Sequence, residues 1–430
     1  MSLNGNKILF ILFFLFAGCF RQALDGNRND RDIRISNPYK GTVAVPFQLI
    51  NNLVVIDVRI NNSDTLKFVL DTGAGRTIIT ELAPGQGFEI QYKGDIQLNG
   101  LGNSGPIPAL ISEGNQMFIK GVEGENQIIV FLLEGVFNLS TFMGTQVNGL
   151  IGYDIFKNFI VEINYQKERL YFHDPDAFSE SYESKKQDGE WTYVPLVLDK
   201  NKLYMDISIK QSDGSVISSR LLIDSGASHT LFLYPDTSSD IKIPANTVYS
   251  FLGMGLSGEI YGEIGRAKKI QVENIELIDP IVSYPQLDGI KQALAIGERN
   301  GSIGADFLKR FDVIFNYGEP SMLIKPNGNF NKEFTYNTSG MEITTPLVNL
   351  PYYVVSKVRE GSPADEAGIL EGDVLYEVNR KKIYEFSLNE LLNMFHSNES
   401  KVINLYVKRD SGVYRIDLEL EDKTKHDDES

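Results

Sequence analysis

From Val43 onward the chain alternates short apolar runs, rich in β-branched residues, with polar turns. Val45-Pro46-Phe47-Gln48-Leu49 and Leu53–Ile60 have the composition of strands, with a turn at Asn51-Asn52 between them. A second polar turn, Asn61–Asp64, leads into an apolar strand that ends at Asp71. The second half opens in the same way. Val194–Leu198, a turn, Leu203–Ile209 and another polar turn lead into an apolar strand that ends at Asp224. The pattern predicts an all-β body.

The parallel between the halves holds in detail. Phe68-Val-Leu-Asp71-Thr72-Gly73-Ala74 returns as Leu221-Leu-Ile-Asp224-Ser225-Gly226-Ala227, a displacement of 153 positions. Gly100-Leu-Gly102-Asn-Ser-Gly105 returns as Gly253-Met-Gly255-Leu-Ser-Gly258, displaced by the same 153. Gly149-Leu150-Ile151-Gly152 returns as Gly301-Ser302-Ile303-Gly304, displaced by 152. Three landmarks in register mark a duplicated lobe. An isolated Asp-Thr-Gly is more often a turn than a site. Two copies in register bring a pair of carboxylates into question instead. Two such groups held close cannot both ionise easily, so they share a proton and can divide base and acid roles.

A different module follows the lobes. A strand through Tyr352–Val358, then Glu360-Gly-Ser362-Pro363-Ala364 with Gly368, then Gly372–Asn379, precede an amphipathic stretch at Ser387–Phe395 and two last strands. Ser362 caps a helix with Pro363 at its first position, and Gly368 ends it. The divisions expected are 1–18 signal peptide, 19–41 tether, 42–173 first lobe, 174–190 polar linker, 191–326 second lobe, 327–340 linker, 341–421 the small module and 422–430 a charged, disordered tail.

Composition narrows the function. Among 430 residues, 41 basic against 57 acidic side chains leave a net charge of −16, which repels nucleic acid. A single cysteine and four histidines without paired spacing leave no expected metal site, and no cofactor is expected. The apolar run Ile8–Phe16 after Lys7 is too short to span a bilayer and has the size of a signal-peptide core. It ends in Phe16-Ala17-Gly18-Cys19, which resembles the lipobox of bacterial lipoproteins. That resemblance implies lipidation at Cys19 and an exported protein anchored to the cell envelope by its N-terminal lipid.

On the duplicated Asp-Thr/Ser-Gly-Ala, the glycine-rich segments and the apolar Gly-terminated segments, the lobes resemble the retropepsin-like aspartic peptidases. The last module resembles a PDZ domain of the bacterial kind. The resemblance covers about residues 43–420 and implies two pepsin-like β lobes around one cleft, with a small β-rich PDZ domain beyond them. It implies that Asp71 and Asp224 are the catalytic pair and that Thr72 and Ser225 interlock across the lobes. Gly73 and Gly226 would admit close backbone approach. Gly100, Gly102 and Gly105, with Gly253, Gly255 and Gly258, would be flaps closing on substrate. Gly149, Leu150, Ile151 and Gly152, with Gly301, Ile303 and Gly304, would thread behind the aspartate loops. In the PDZ module Leu350, Tyr352, Tyr353 and Val354 are the expected peptide-binding segment, although Pro351 removes a backbone donor there.

The function implied is an aspartic-type endopeptidase acting on proteins or peptides, with the PDZ domain for docking or regulation. A non-catalytic peptide-binding lipoprotein is the leading alternative, and a glycoside hydrolase using the same acids is a third. Other repeated or isolated groups carry plainer readings. Asp57 and Asp206 lie on solvent-facing strands, Asp154 and Asp306 sit at short helix starts, His229 flanks the motif, and Trp191 packs at a lobe edge.

Overall fold

The computed structural model describes residues 33–425 apart from 84, 134–136, 296 and 398–399. The signal-peptide and lipidation readings, Cys19 included, lie outside the described residues, as do 426–430. The fold is all-β with short helices, as its pattern predicts. Strands group into a nine-stranded sheet from lobe 1, a ten-stranded sheet from lobe 2, a six-stranded sheet shared by both, and a six-stranded PDZ sheet.

Each lobe repeats one local arrangement. The strand Leu66–Leu70 reaches Asp71, the chain turns through Gly73, and Thr77–Ile79 leads away. Gly149–Ile151 then returns between them, parallel to the first (Leu150 opposite Val69) and antiparallel to the second (Leu150 opposite Ile78). In lobe 2 Gly301–Ile303 lies parallel to Val216–Ile223 and antiparallel to Leu231–Leu233 in the matching register. The inserted strand closes the base of each aspartate loop: Asp71 N donates to Ile151 O at 2.8 Å, and Asp224 N to Ile303 O at 2.9 Å. Next to the loops the apolar residues Phe68, Val69, Leu70 and Ile151 of lobe 1 and Leu221, Leu222, Ile223 and Ile303 of lobe 2 are buried, as both faces of a central strand require.

The lobes are joined by a shared sheet. Ile160–Asn164 of lobe 1 pairs antiparallel with Phe311–Asn316 of lobe 2, Val161 facing Phe315. Phe156, Phe172, Phe307, Phe311 and Phe315 fill a single apolar core beneath both lobes. At roughly 25 cal/mol per Å² of apolar surface, burying such rings dominates the cohesion of the pair.

Three expected boundaries differ. The linker expected at 174–190 contains a helix, Pro175–Gln187. Asp174 caps it, accepting from Asp176 N and Ala177 N, and its buried Tyr182 hydrogen-bonds Ser321 at 2.8 Å on the shared sheet. The expected tether is folded from Ile33, which is buried and pairs with Gly124. The expected tail is held by lobe 2 as far as it is described. The buried Arg266 pairs with Asp422 at 2.8 Å and donates to Thr424 Oγ1 at 3.0 Å, so an otherwise costly interior guanidinium is satisfied by the chain end.

Candidate active site

The two aspartate loops meet where the lobes meet. Thr72 Oγ1 donates to Ile223 O at 2.7 Å and accepts from Ser225 N at 2.9 Å. Reciprocally, Ser225 Oγ donates to Leu70 O at 2.8 Å and accepts from Thr72 N at 3.0 Å. Four buried hydrogen bonds thus form a ring across the approximate two-fold axis, and both hydroxyls use donor and acceptor capacity at once. Either hydroxyl type can make this pattern, which is why Thr in one copy and Ser in the other are equivalent.

The ring sets the two carboxylates face to face. A Cβ on Gly73 would stand 3.0 Å from Asp224 Oδ1 and 3.1 Å from Asp71 Oδ1, so both acids flank one bare backbone position. On Gly226 a Cβ would overlap the Asp71 carboxyl, with Oδ2 at 2.6 Å. No residue with a side chain fits there. Gly152 and Gly304 are constrained in the same way from below, where a Cβ would lie 2.6 Å from Asp71 O and 2.7 Å from Ala227 O.

Asp71 is buried, and Gly73 N donates to its Oδ1 at 2.7 Å. Its pKa is raised from 3.8 to about 8, first by burial, then by the charge of Asp224, with a direct side-chain hydrogen bond between the two acids adding to the rise. The Gly73 bond and the charge of Lys202 oppose that shift. Burial and the adjacent carboxylate thus both favour a protonated Asp71 carboxyl. Asp224 is half-buried and the more accessible of the two.

The glycine-rich segments are hairpin tips, and the two tips touch. Ser257 N donates to Leu101 O at 2.8 Å, and Ser104 N donates to Ser257 O at 2.7 Å. Gly100 N reaches Ser257 Oγ at 3.1 Å. Gly102 (φ +125°) and Gly258 (φ +112°) take left-handed conformations open to glycine, and a Cβ on Gly102 or Gly255 would overlap the opposite tip. Gly105 and Gly253 share the positive φ. The two hairpin tips are thus joined to each other.

The repeated acids behind the loops serve structure. Asp154 accepts from Thr77 N at 2.7 Å and from Arg76 at 3.2 Å, and Asp306 accepts from Thr230 Oγ1 at 2.7 Å and pairs with Lys309. Asp206 pairs with Arg220 at the surface. His229, expected merely to flank the motif, is tied into the site wall. It stacks on Phe232 with centroids 3.8 Å apart and bonds Ser302 at 3.1 Å, and its desolvation lowers its pKa from 6.5 to about 4. Ser302, where lobe 1 has Leu150, thus has a polar partner that pattern reading missed; the departure from the repeat was the available signal.

The PDZ domain packs on both lobes. Val354 is paired on one side with Thr344 and on the other with Val374, so the expected segment offers no open edge for an added strand. Tyr353 is buried and donates to Phe386 O at 2.7 Å, while Leu350 and Tyr352 are exposed in the preceding loop. One terminal strand of that sheet is Met341–Thr344, and lobe 1 already lies against it; the other is Gly412–Leu420. Thr345 N donates to Thr141 O at 3.1 Å, and a Cβ on Gly144 would press on Leu388 of the PDZ helix Leu388–Phe395 at 2.7 Å. On the lobe-2 side, Lys357 pairs with Glu259 at 2.8 Å and donates to Tyr261 Oη at 2.9 Å, both on the second strand of the lobe-2 flap. Among the described residues no cluster of His, Cys, Asp and Glu could hold a metal ion.

Comparison with known proteins agrees with the two resemblances. The family model described as aspartyl protease matches residues 56–155, which contain the first aspartate loop and its threading strand. The model described as PDZ domain matches residues 354–409. The chain therefore carries an aspartyl protease domain and a C-terminal PDZ domain. No curated protein sequence matches it. Among solved structures, Basic 7S globulin from soybean aligns with 68% of this chain and 97% of its own at 9% identity and a TM-score of 0.40, a likeness too distant to bear on activity.

Proposed function

We propose that the protein is an aspartic-type endopeptidase whose single chain supplies both carboxylates. The observation that carries this reading is the reciprocal Thr72–Ser225 ring, which holds Asp71 and Asp224 in direct contact where the lobes meet. In this reading Asp71 holds the shared proton and donates it toward the scissile carbonyl oxygen, while Asp224 takes a proton from the attacking water. The result is a tetrahedral diol, whose collapse with protonation of the amide nitrogen releases the two peptide ends. The contact favours peptide hydrolysis over glycoside hydrolysis, where the two acids stand about 5 Å apart or more to straddle a sugar ring. It also disfavours a binding-only groove, because packing two acids together costs stability that binding has no use for.

The PDZ domain is read as a fixed partner of the lobes, docked on the lobe-1 helix Leu139–Met143 and clamped to the lobe-2 flap by Lys357. The chain is further proposed to be exported and lipid-anchored through Cys19, a reading supported by the apolar run before it. Incubation of the purified chain with a peptide library, analysed by mass spectrometry, tests the peptidase reading. Cleavage that vanishes in Asp71→Asn and in Asp224→Asn supports it. Binding without turnover from acid to neutral pH would favour the non-catalytic alternative.

A further inference from the structure

Duplication gives most positions of lobe 2 a counterpart in lobe 1, and beside the candidate dyad four counterparts disagree in chemistry. In lobe 1, Leu53, Val55, Val147 and Leu150 belong to one apolar cluster. The corresponding residues of lobe 2 are Lys202, Tyr204, Arg299 and Ser302. The equivalence follows from strand pairing. Leu53 and Lys202 close matching hairpins opposite Ile50 and Asp199, and Val55 and Tyr204 face the motif strands at Val69 and Leu222. Val147 and Arg299 each precede by two residues the glycine that starts a threading strand, in which Leu150 and Ser302 match.

An apolar cluster has thus become a polar one, and its charges are not neutralised. Arg299 is 9% exposed, its Nε has no hydrogen-bond partner, and its guanidinium lies 5.6 Å from the ring centre of Tyr234, whose buried hydroxyl is also without a partner. No carboxylate among the described residues lies within ion-pair distance of Arg299. Lys202 is half-buried and makes no ion pair either, yet it lies within electrostatic reach of both Asp71 and Asp224, and of Arg299, which repels it. A buried guanidinium nitrogen left unpaired, as Arg299 Nε is among the described residues, is costly unless an acceptor completes it.

We propose that Lys202 and Arg299 form a cationic subsite beside the candidate dyad, which takes a substrate carboxylate close to the scissile bond. The inference rests on the peptidase reading and adds a substrate class to it: peptides with Glu or Asp, or a C-terminal carboxylate, at the position facing lobe 2. The planar Arg299 fork suits bidentate capture, and Lys202 adds a point charge on the dyad side.

The test compares matched peptides bearing Glu or Gln at each position, each with a free and an amidated C-terminus. For the wild-type chain the kcat/KM ratio of Glu over Gln peptides is expected to reach about tenfold at one position. It falls toward unity in Arg299→Val and in Lys202→Leu, the lobe-1 residues at those places, and is partly kept in Arg299→Lys. A preference surviving amidation assigns the carboxylate to a side chain, and one lost on amidation assigns it to the chain end. Equal cleavage of Glu and Gln peptides by the wild type, or a ratio unchanged in both variants, overturns the subsite while leaving the peptidase reading standing. If no peptide is cleaved at all, the peptidase reading fails, and fluorescence anisotropy of the same labelled peptides decides the subsite. Tighter binding of Glu peptides that Arg299→Val abolishes supports it, and equal binding overturns it.

Discussion

Replacing Thr72 by Val keeps shape and volume but removes two of the four hydrogen bonds that lock the lobes. The Ile223 carbonyl loses its donor at 2.7 Å, and the Ser225 amide loses its acceptor at 2.9 Å. Both groups are buried, so neither recovers a partner from water. Each orphaned group costs about 1–3 kcal/mol, which puts the loss for the two at roughly 2–6 kcal/mol, a large share of the 5–15 kcal/mol typical of a folded domain. Urea unfolding followed through the single tryptophan, Trp191, at the shared sheet, reads this as a lower midpoint at unchanged slope. Ser225→Ala breaks the other two bonds of the same ring, so the double variant is expected to lose less than the two single losses together, with a coupling of about 0.5–3 kcal/mol. A loss below about 0.5 kcal/mol in Thr72→Val, or strict additivity in the cycle, would refute the idea that this ring holds the site together.

Gly226→Ala is expected to abolish activity while the PDZ domain stays folded, since the new Cβ would overlap the Asp71 carboxyl; a variant crystal structure with the acids undisturbed would contradict this. The pH dependence of stability carries two opposite signatures. Asp71 ionises near 3.8 when unfolded but near 8 when folded, so its contribution is lost as pH rises through that window, and the thermal midpoint of Asp71→Asn should gain on that of the wild type between those values. His229 titrates near 6.5 when unfolded and near 4 when folded, so stability falls as pH drops through that lower window, and His229→Gln should flatten the fall. Lys357→Ala removes the clamp on Glu259 and Tyr261, and hydrogen exchange in the hairpin 248–266 should accelerate relative to the lobe-1 flap; equal exchange in the two proteins would show that the PDZ domain does not restrain the flap.

The sequence makes legible what the two halves share. Asp71 and Asp224, the tip glycines and the threading segments stand in register, and at Gly102, Gly226 and Gly255 a Cβ would overlap the opposite loop. What escaped was what distinguishes the halves or depends on remote partners. Lys202 and Arg299 look like ordinary surface cations until they are set against Leu53 and Val147. Ser302 reads as a packing variant of Leu150, and its bond to His229 has no signal in the local sequence. The helix at Pro175–Gln187 was hidden by its polar composition, although Asp174-Pro175 is a capped helix start that could have disclosed it. The fate of Asp422 and Thr424 depends on Arg266, more than 150 positions earlier, and no local pattern encodes such a partner. In the PDZ domain, the motif located the module but not its free edge, because which strand ends a sheet is a matter of topology.

The most direct test is peptide-library cleavage by the wild-type chain, Asp71→Asn and Asp224→Asn side by side, with circular dichroism confirming that all three are folded. The two-carboxylate account predicts cleavage by the wild type alone, with the sites lost completely in each single variant. Full activity in either variant would contradict it, because one remaining carboxylate would then suffice for the chemistry.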